Sequence, residues 1–421
     1  MPDENTVQAD WQGWVRRTSF FLAGQTVSLF GSALVQYAII WYITLTTKSG
    51  VMMTISTLCG FLPQLLISIF AGVWADRYPR KLLIILADAA IAFSTLVLAM
   101  LFLAGYREIW LLFLVSGIRS VGAGIQSPAV SAMIPQLVPE EKLMKVNGIH
   151  NSIGSFTLLV APVVSGALLA TTNLEITFFV DVATAVIAIG ILLSIKIKTH
   201  QKALQPQTTG YFHDLKEGLR YVKNHALVKS MLLFYAIIFF LIVPVALLTP
   251  LMVTRSFGSE VWKLTANEVA YFSGSMLGGI IISVWGGFKN RVKSIVISCT
   301  MFGLLTLMMG LVPIFFLYLA IVLISGFAVP FFDTAATVLL QENVEHDMQG
   351  RVFSFTTMVI TAVMPLGMIL FGPLSDIVKV EYLLIGTGIL MVIVAAFIRK
   401  NKSIRDIESR DKAIMQENQN S

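Results

Sequence analysis

The chain has 421 residues, of which 56% are hydrophobic and only 13% charged, with a mean hydropathy of +0.79 and a formal net charge of +6. A soluble domain carries roughly a quarter of its residues charged, so the composition excludes a soluble enzyme and gives a polytopic membrane protein. The basic surplus gathers between apolar runs and reflects membrane topology, not binding of nucleic acid.

The polar start, residues 1–17, lacks the short apolar core and small-residue cleavage site of a removed signal peptide and reads as a cytoplasmic N-terminus. Apolar stretches of about 20 residues, the length that crosses hydrocarbon, then place six spans at 18–44, 51–75, 82–104, 109–132, 148–170 and 174–195. Six more follow at 227–253, 267–288, 294–312, 313–340, 351–377 and 382–398, the ninth and tenth separated by Pro313 alone. The expected domains are an N-terminal six-helix bundle (18–195), a cytoplasmic linker (196–226), a C-terminal six-helix bundle (227–398) and a charged cytoplasmic tail (399–421). Within the linker, Tyr211–Lys223 gathers Tyr211, Phe212, Leu215, Leu219 and Val222 on one helical face, the pattern of an amphipathic surface helix.

An even number of spans puts both termini on one side. With termini and linker in the cytoplasm, Lys48, Arg107, Arg255, Lys263 and Lys379 fall outside, Arg119 falls within a span, and the other 24 of the 30 Lys and Arg face inward. The opposite orientation inverts that ratio, so the cytoplasmic assignment is the one expected. Cys59 and Cys299 lie in apolar runs and suggest neither a disulfide nor a metal site.

The charged stretch Gly72-Val73-Trp74-Ala75-Asp76-Arg77-Tyr78-Pro79-Arg80-Lys81 separates the second and third spans. Arg77, Arg80 and Lys81 suffice for a positive-inside loop, whereas Asp76 is superfluous to that purpose. The spacing G-x-x-x-D-R-x-x-R-K resembles the signature loop between helices 2 and 3 of the major facilitator superfamily of transporters. That resemblance implies a conformational latch made of Gly72, Asp76, Arg77, Arg80 and Lys81, with Asp76 accepting from N–H groups at the start of the eleventh helix near Gly350-Arg351. Val73-Trp74 and Arg80 recur at one offset as Val284-Trp285 and Arg291, with Gly287 in place of Asp76. Gln136…Lys145-Val146 likewise echoes Gln341…Arg351-Val352, as a duplicated two-half transporter would show. The fold expected is an all-α membrane protein, twelve transmembrane helices in two pseudo-symmetric six-helix bundles, the major facilitator fold.

Ionisable residues inside spans are costly and mark function unless they hold the bundle together. Arg119 lies near mid-depth of the fourth span and matches the arginine that the resemblance associates with proton coupling; its structural alternative is a packing role. Asp333, just after Pro330 in the tenth span, is a second candidate for proton exchange or, alternatively, a helix cap. Asp88 is expected near the cytoplasmic surface, supporting the loop, and Asp181 nearer the outer face, both as further proton-coupling candidates. Asp376 reads as an interfacial residue beside Lys379. Gln25, Gln36, Tyr37, Gln126, Phe239, Phe240 and Phe332 are candidates for an aromatic-walled cavity suited to a bulky amphiphilic solute. The helix-5 run Gly154…Ala161-Pro162-Val163-Val164-Ser165-Gly166 resembles a degenerate drug–proton antiporter motif, and Pro365 and Pro373 bend the eleventh span.

No phosphate-binding loop, HExxH or nucleophile elbow occurs, so neither an enzyme nor an ATP-driven pump is expected. Ala23–Ser28, Gly60–Pro63, Ile118–Ser120, Pro139–Leu143 and Gly350–Ser354 resemble the macrolide-efflux branch of the superfamily, in order along the chain. The resemblance implies a monomeric drug:proton antiporter of the bacterial inner membrane that confers antibiotic resistance, needs no cofactor beyond the proton gradient, and takes a small hydrophobic solute and protons as partners. Export of an endogenous metabolite or siderophore is the alternative within transport; a non-transporting membrane sensor or assembly partner is the alternative of another class.

Overall fold

The computed structural model describes residues 13–195, 219–288 and 290–400, without the side chains of Ile69, Val73, Asp76, Asp347, Arg399 and Lys400. Most of the linker and of its amphipathic stretch, and the tail from residue 401, therefore lie outside the described residues.

Regular structure among the described residues is entirely helical. The first six long helices are α1 (Trp14–Thr47), α2 (Gly50–Arg77), α3 (Arg80–Leu103), α4 (Ile109–Leu137), α5 (Leu143–Thr171) and α6 (Leu174–Ser194). They are followed by α7 (Ala226–Met252), α8 (Val261–Trp285), α9 (Arg291–Leu311), α10 (Phe315–Asn343), α11 (His346–Ile377) and α12 (Val380–Lys400). All twelve contain a stretch long and apolar enough to cross a membrane. Pro313 does mark a break, since α9 ends at Leu311 and α10 begins at Phe315. The eighth helix begins at Val261, not at 267, and this places Glu268 two turns inside it.

The helix that leads into the charged loop, or into its repeat, ends differently in the two halves. Helix α2 runs on to Arg77 before the break at Pro79. Helix α8 stops at Trp285 because Gly286 and Gly287 both take left-handed backbone, φ 76° and 77°. Gly287 stands where the repeat would place an aspartate, and an L side chain is strained at that φ. The missing acid is thus a backbone matter.

The chain separates into two compact units: residues 13–47 with 55–195, and residues 48–54 with 219–288 and 290–400. In the first, α1 packs on α5 and α6, and α3 packs on α4 and α6. In the second, α7 packs on α11 and α12, and α9 packs on α10 and α12. These are the same four pairings displaced by six helices, the internal repeat expected of a duplicated transporter.

Helices α8 and α10 approach backbone to backbone. A Cβ added at Gly326 would lie 2.1 Å from the Tyr271 carbonyl oxygen, and one at Gly274 would lie 1.9 Å from that of Leu323. Small residues at such crossings let helices gain dispersion contact in lipid, where no hydrophobic force drives association. Gly326→Leu is expected to destabilise the protein by about 1–3 kcal/mol through overpacking. Gly279→Leu, at a position with nothing within 4 Å, is expected to be silent; thermal unfolding in detergent checks both.

Candidate functional site

Two buried polar layers occupy the first unit, and their spacing is set by helix geometry. On α3, Asp88 and Thr95 are seven residues apart; on α4, Arg119 and Gln126 are too. Seven residues are nearly two turns, so each pair shares one helix face at levels about 10 Å apart. Asp88 meets Gln126 at one level and Thr95 meets Arg119 at the other, as antiparallel neighbours require.

In the first layer, Asp88 Oδ1 accepts from Ser28 Oγ of α1 at 2.8 Å and from Gln126 Nε2 at 2.7 Å. Asp88 is only 2% exposed, and its Oδ2 is buried with no hydrogen-bonding partner among the described residues. Two sequence expectations change here. Asp88 is not a prop for the charged loop; its partners are on α1 and α4, because residue 88 falls two turns past the start of α3 at Arg80. Gln126 is not a free cavity amide, since it is 7% exposed and committed to Asp88.

In the second layer, the Arg119 guanidinium donates to Asp181 of α6 and to Thr95 Oγ1, and Nη2 donates to the Ser32 carbonyl at 3.2 Å. The side chains of Arg119 and Asp181 are 7% and 1% exposed. Gly31 makes room for the acid: a Cβ there would sit 2.0 Å from Thr184 Oγ1 and 3.1 Å from Asp181 Oδ1. Burying both charges costs several kcal/mol each, which their pairing offsets only when the geometry is good and the remaining donors are satisfied. Here three of the guanidinium's hydrogen bonds are in place.

The charged loop makes two tethers within this unit. Arg80 donates from Nε to the Ala75 carbonyl at 3.0 Å and from Nη1 to that of Ala132, on α4, at 2.6 Å. Lys81 Nζ donates to the carbonyls of Leu193 and Ile195 at 3.1 and 2.8 Å, placing a cation on the C-terminus of α6. Arg77 is exposed and Gly72 has open space around it; the Asp76 side chain is outside the described residues. In the repeat, Arg291 also ties its loop to the following helix but through different partners, donating to the Phe288 carbonyl at 3.1 Å and to the Glu342 carboxylate of α10 at 3.4 Å. Arg80→Ala, which removes a donor from two carbonyls, is expected to cost about 1–2 kcal/mol of stability, and Lys81→Met under 1 kcal/mol; both are measured by thermal unfolding.

Of the remaining cavity candidates in this unit, Gln25 is buried, Gln36 packs against Gly60, and the Tyr37 ring lies 5.5 Å from that of Trp41. Arg107 pairs with the buried Glu175 at 2.6 Å, beside a cavity of about 200 Å³ lined by Tyr42, Phe102 and Asn173. Drug-sized ligands occupy roughly 300–1,000 Å³, so this hollow is too small for a bulky cargo.

In the second unit, Asp333 is exposed on α10, with Tyr235 and Tyr271 as electrostatic neighbours. Phe332 is buried between Phe234 and Tyr235, at 5.8 and 5.9 Å. Phe239 stacks on Tyr235 and Phe240 packs on Phe371. Phe234, Tyr235, Phe239 and Phe332 form one aromatic cluster, and Phe240 with Phe371 forms a separate pair. Sequence reasoning missed Glu268, which bonds Asn267, itself an acceptor from Tyr318 Oη at 3.0 Å. The signal, an acid in an apolar run, was masked by placing the start of the span six residues late. It also missed the partners of Asp376, which lie at the start of α2 and not in solvent beside Lys379.

The profile of the Major Facilitator Superfamily matches residues 21–368. Macrolide efflux protein A of Streptococcus pyogenes is 31% identical over 402 residues, covering 94% of this chain and 99% of that one. The staphyloferrin A transporter of Staphylococcus aureus is 22% identical over 366 residues, 86% and 90% of the two chains. Among solved structures, a bacterial homologue of the human lysosomal transporter Spinster, inward-facing and unoccupied, aligns with a TM-score of 0.70 at 15% identity, over 92% of this chain and 97% of that one. Twelve apolar helices and these matches make the chain a multi-pass membrane transporter with the major facilitator fold, not an enzyme. It belongs to the major facilitator superfamily, in the macrolide-efflux branch.

Proposed function

We propose that this transporter is a proton-driven exporter of a bulky hydrophobic or amphiphilic compound of the macrolide type. It works as a monomer by alternating access in a bacterial cytoplasmic membrane, with both termini inside and no cofactor beyond the proton gradient. The observation that carries the reading is the buried carboxyl of Asp88, whose Oδ1 is saturated while Oδ2 is unmatched. A carboxylate oxygen in that position gains most from taking a proton, and doing so leaves both hydrogen bonds to Oδ1 intact. Asp181, by contrast, is paired with Arg119. Asp333, on α10 of the second unit, is a further candidate for proton exchange, with Tyr235 of the aromatic cluster as an electrostatic neighbour. Asp76 and its loop act as the latch that the signature implies.

The likeness to a siderophore transporter supports a second reading, export of an endogenous metabolite. A susceptibility panel in a drug-sensitised host separates them. Macrolide resistance that a protonophore removes supports the first reading. Unaltered macrolide susceptibility alongside secretion of an endogenous siderophore supports the second.

A further inference from the structure

The first turns of α2 carry a set of contacts that the transport reading leaves unused. Residues 48–54 belong to the second compact unit, while the rest of α2 belongs to the first. Asp376, at the end of α11, holds them there. Its Oδ1 accepts from the Gly50 N–H at 2.7 Å, and its Oδ2 from the Val51 N–H at 3.1 Å and from Ser49 Oγ at 2.7 Å. One carboxylate thus satisfies the exposed N–H groups that begin a helix, where the dipole favours negative charge.

Arg255 completes the arrangement. It lies on a π-helical turn, Val253–Phe257, at the end of α7. Nη2 donates to Asp376 Oδ1 at 2.8 Å and Nη1 to the Ser375 carbonyl at 2.6 Å, while Nε and Nη2 both reach the Lys48 carbonyl. Lys48 has φ 49°, the one left-handed non-glycine backbone among the described residues. Such a conformation costs about 1–3 kcal/mol and persists where its surroundings hold it. Close fit adds to this: a Cβ at Gly50 would lie 1.8 Å from Ser375 Oγ, and Thr54 Oγ1 donates to the Met368 carbonyl at 3.3 Å.

We propose that Asp376 and Arg255 form a clasp on the N-terminus of α2 that is engaged in one half of the transport cycle and released in the other. Three features make it a device and not packing alone. The strain at Lys48 is relieved on release. The ion pair is part-exposed, with side chains 30% and 27% exposed, so water replaces its bonds at little cost. Gly50 and Gly372 receive only the short side chains of Ser375 and Thr54, so no large side chain has to withdraw. The proposal rests on the alternating-access reading but not on the identity of the cargo.

The test uses the full chain in intact cells, with Cys59→Ser and with Cys299 kept as a buried reporter of folding. Thr54→Cys, 4% exposed in the clasped state, is treated with a membrane-impermeant thiol reagent. Asp376→Ala is expected to raise its labelling several-fold with Cys299 still unlabelled, and Arg255→Gln to raise it less. Equal labelling in the parent and both variants overturns the clasp. In a second arm, with both native cysteines replaced by serine, Ser49→Cys with Asp376→Cys is oxidised to a disulfide. Loss of macrolide export that a reductant restores supports release during the cycle; undiminished export by the cross-linked protein, or no cross-link at all, overturns it. Macrolide export by the parent without native cysteines is measured alongside; its absence counts against the proposed cargo, and the labelling arm still decides the clasp.

Discussion

Arg119→Ala is expected to abolish export and to destabilise the protein by about 3–5 kcal/mol, because it strands the Asp181 carboxylate in a site 1% exposed. Thr95 Oγ1 and the Ser32 carbonyl lose their donor at the same time. A double-mutant cycle separates structure from mechanism. Arg119→Met with Asp181→Leu removes both charges at similar volume and is expected to recover most of the stability, since replacing a whole buried pair is far cheaper than breaking it. Export is expected to stay lost in the double mutant if the pair sets the field in which Asp88 exchanges its proton. Recovery of export together with stability would make the pair a packing device only. Thermal unfolding in detergent and a resistance assay read the two quantities.

The second large effect is expected at Asp88→Asn. The amide keeps an oxygen for Ser28 and Gln126 and occupies the volume of the carboxyl, so stability is expected to change by under about 1.5 kcal/mol. The variant resembles a permanently protonated acid. Gradient-driven export is therefore expected to disappear, while cargo exchange across the membrane without a gradient continues. Counterflow in proteoliposomes measures the second quantity. Loss of both would mark Asp88 as a binding or structural group, and retention of both would remove it from the coupling mechanism.

Most of the architecture was legible because hydrocarbon imposes it. Runs of about 20 apolar residues and the bias of Lys and Arg need no tertiary information. Arg119 was also visible from sequence, since a lone arginine at mid-span demands a partner. Which acid answers it was not visible: Asp88 and Asp181 both lie in the same half, and only the packing of α6 against α1 and α3, with Gly31 clearing the space, selects Asp181. The seven-residue spacings on α3 and α4 were readable in principle and become informative only once the two helices are known to be antiparallel neighbours. Glu268 was missed by setting one helix start six residues late. Asp376 looked interfacial because a sequence shows an acid at the end of a span and not the distant helix start that it caps.

The central claim, that inward proton flow through the first unit drives macrolide out, is tested most directly in proteoliposomes. Purified protein is given a labelled macrolide and an imposed pH gradient. The account predicts macrolide movement against its own concentration gradient and opposite to the proton flow, collapse of that movement with a protonophore, and none with the Asp88→Asn protein. Macrolide movement of the same rate and extent with and without the pH gradient would contradict it.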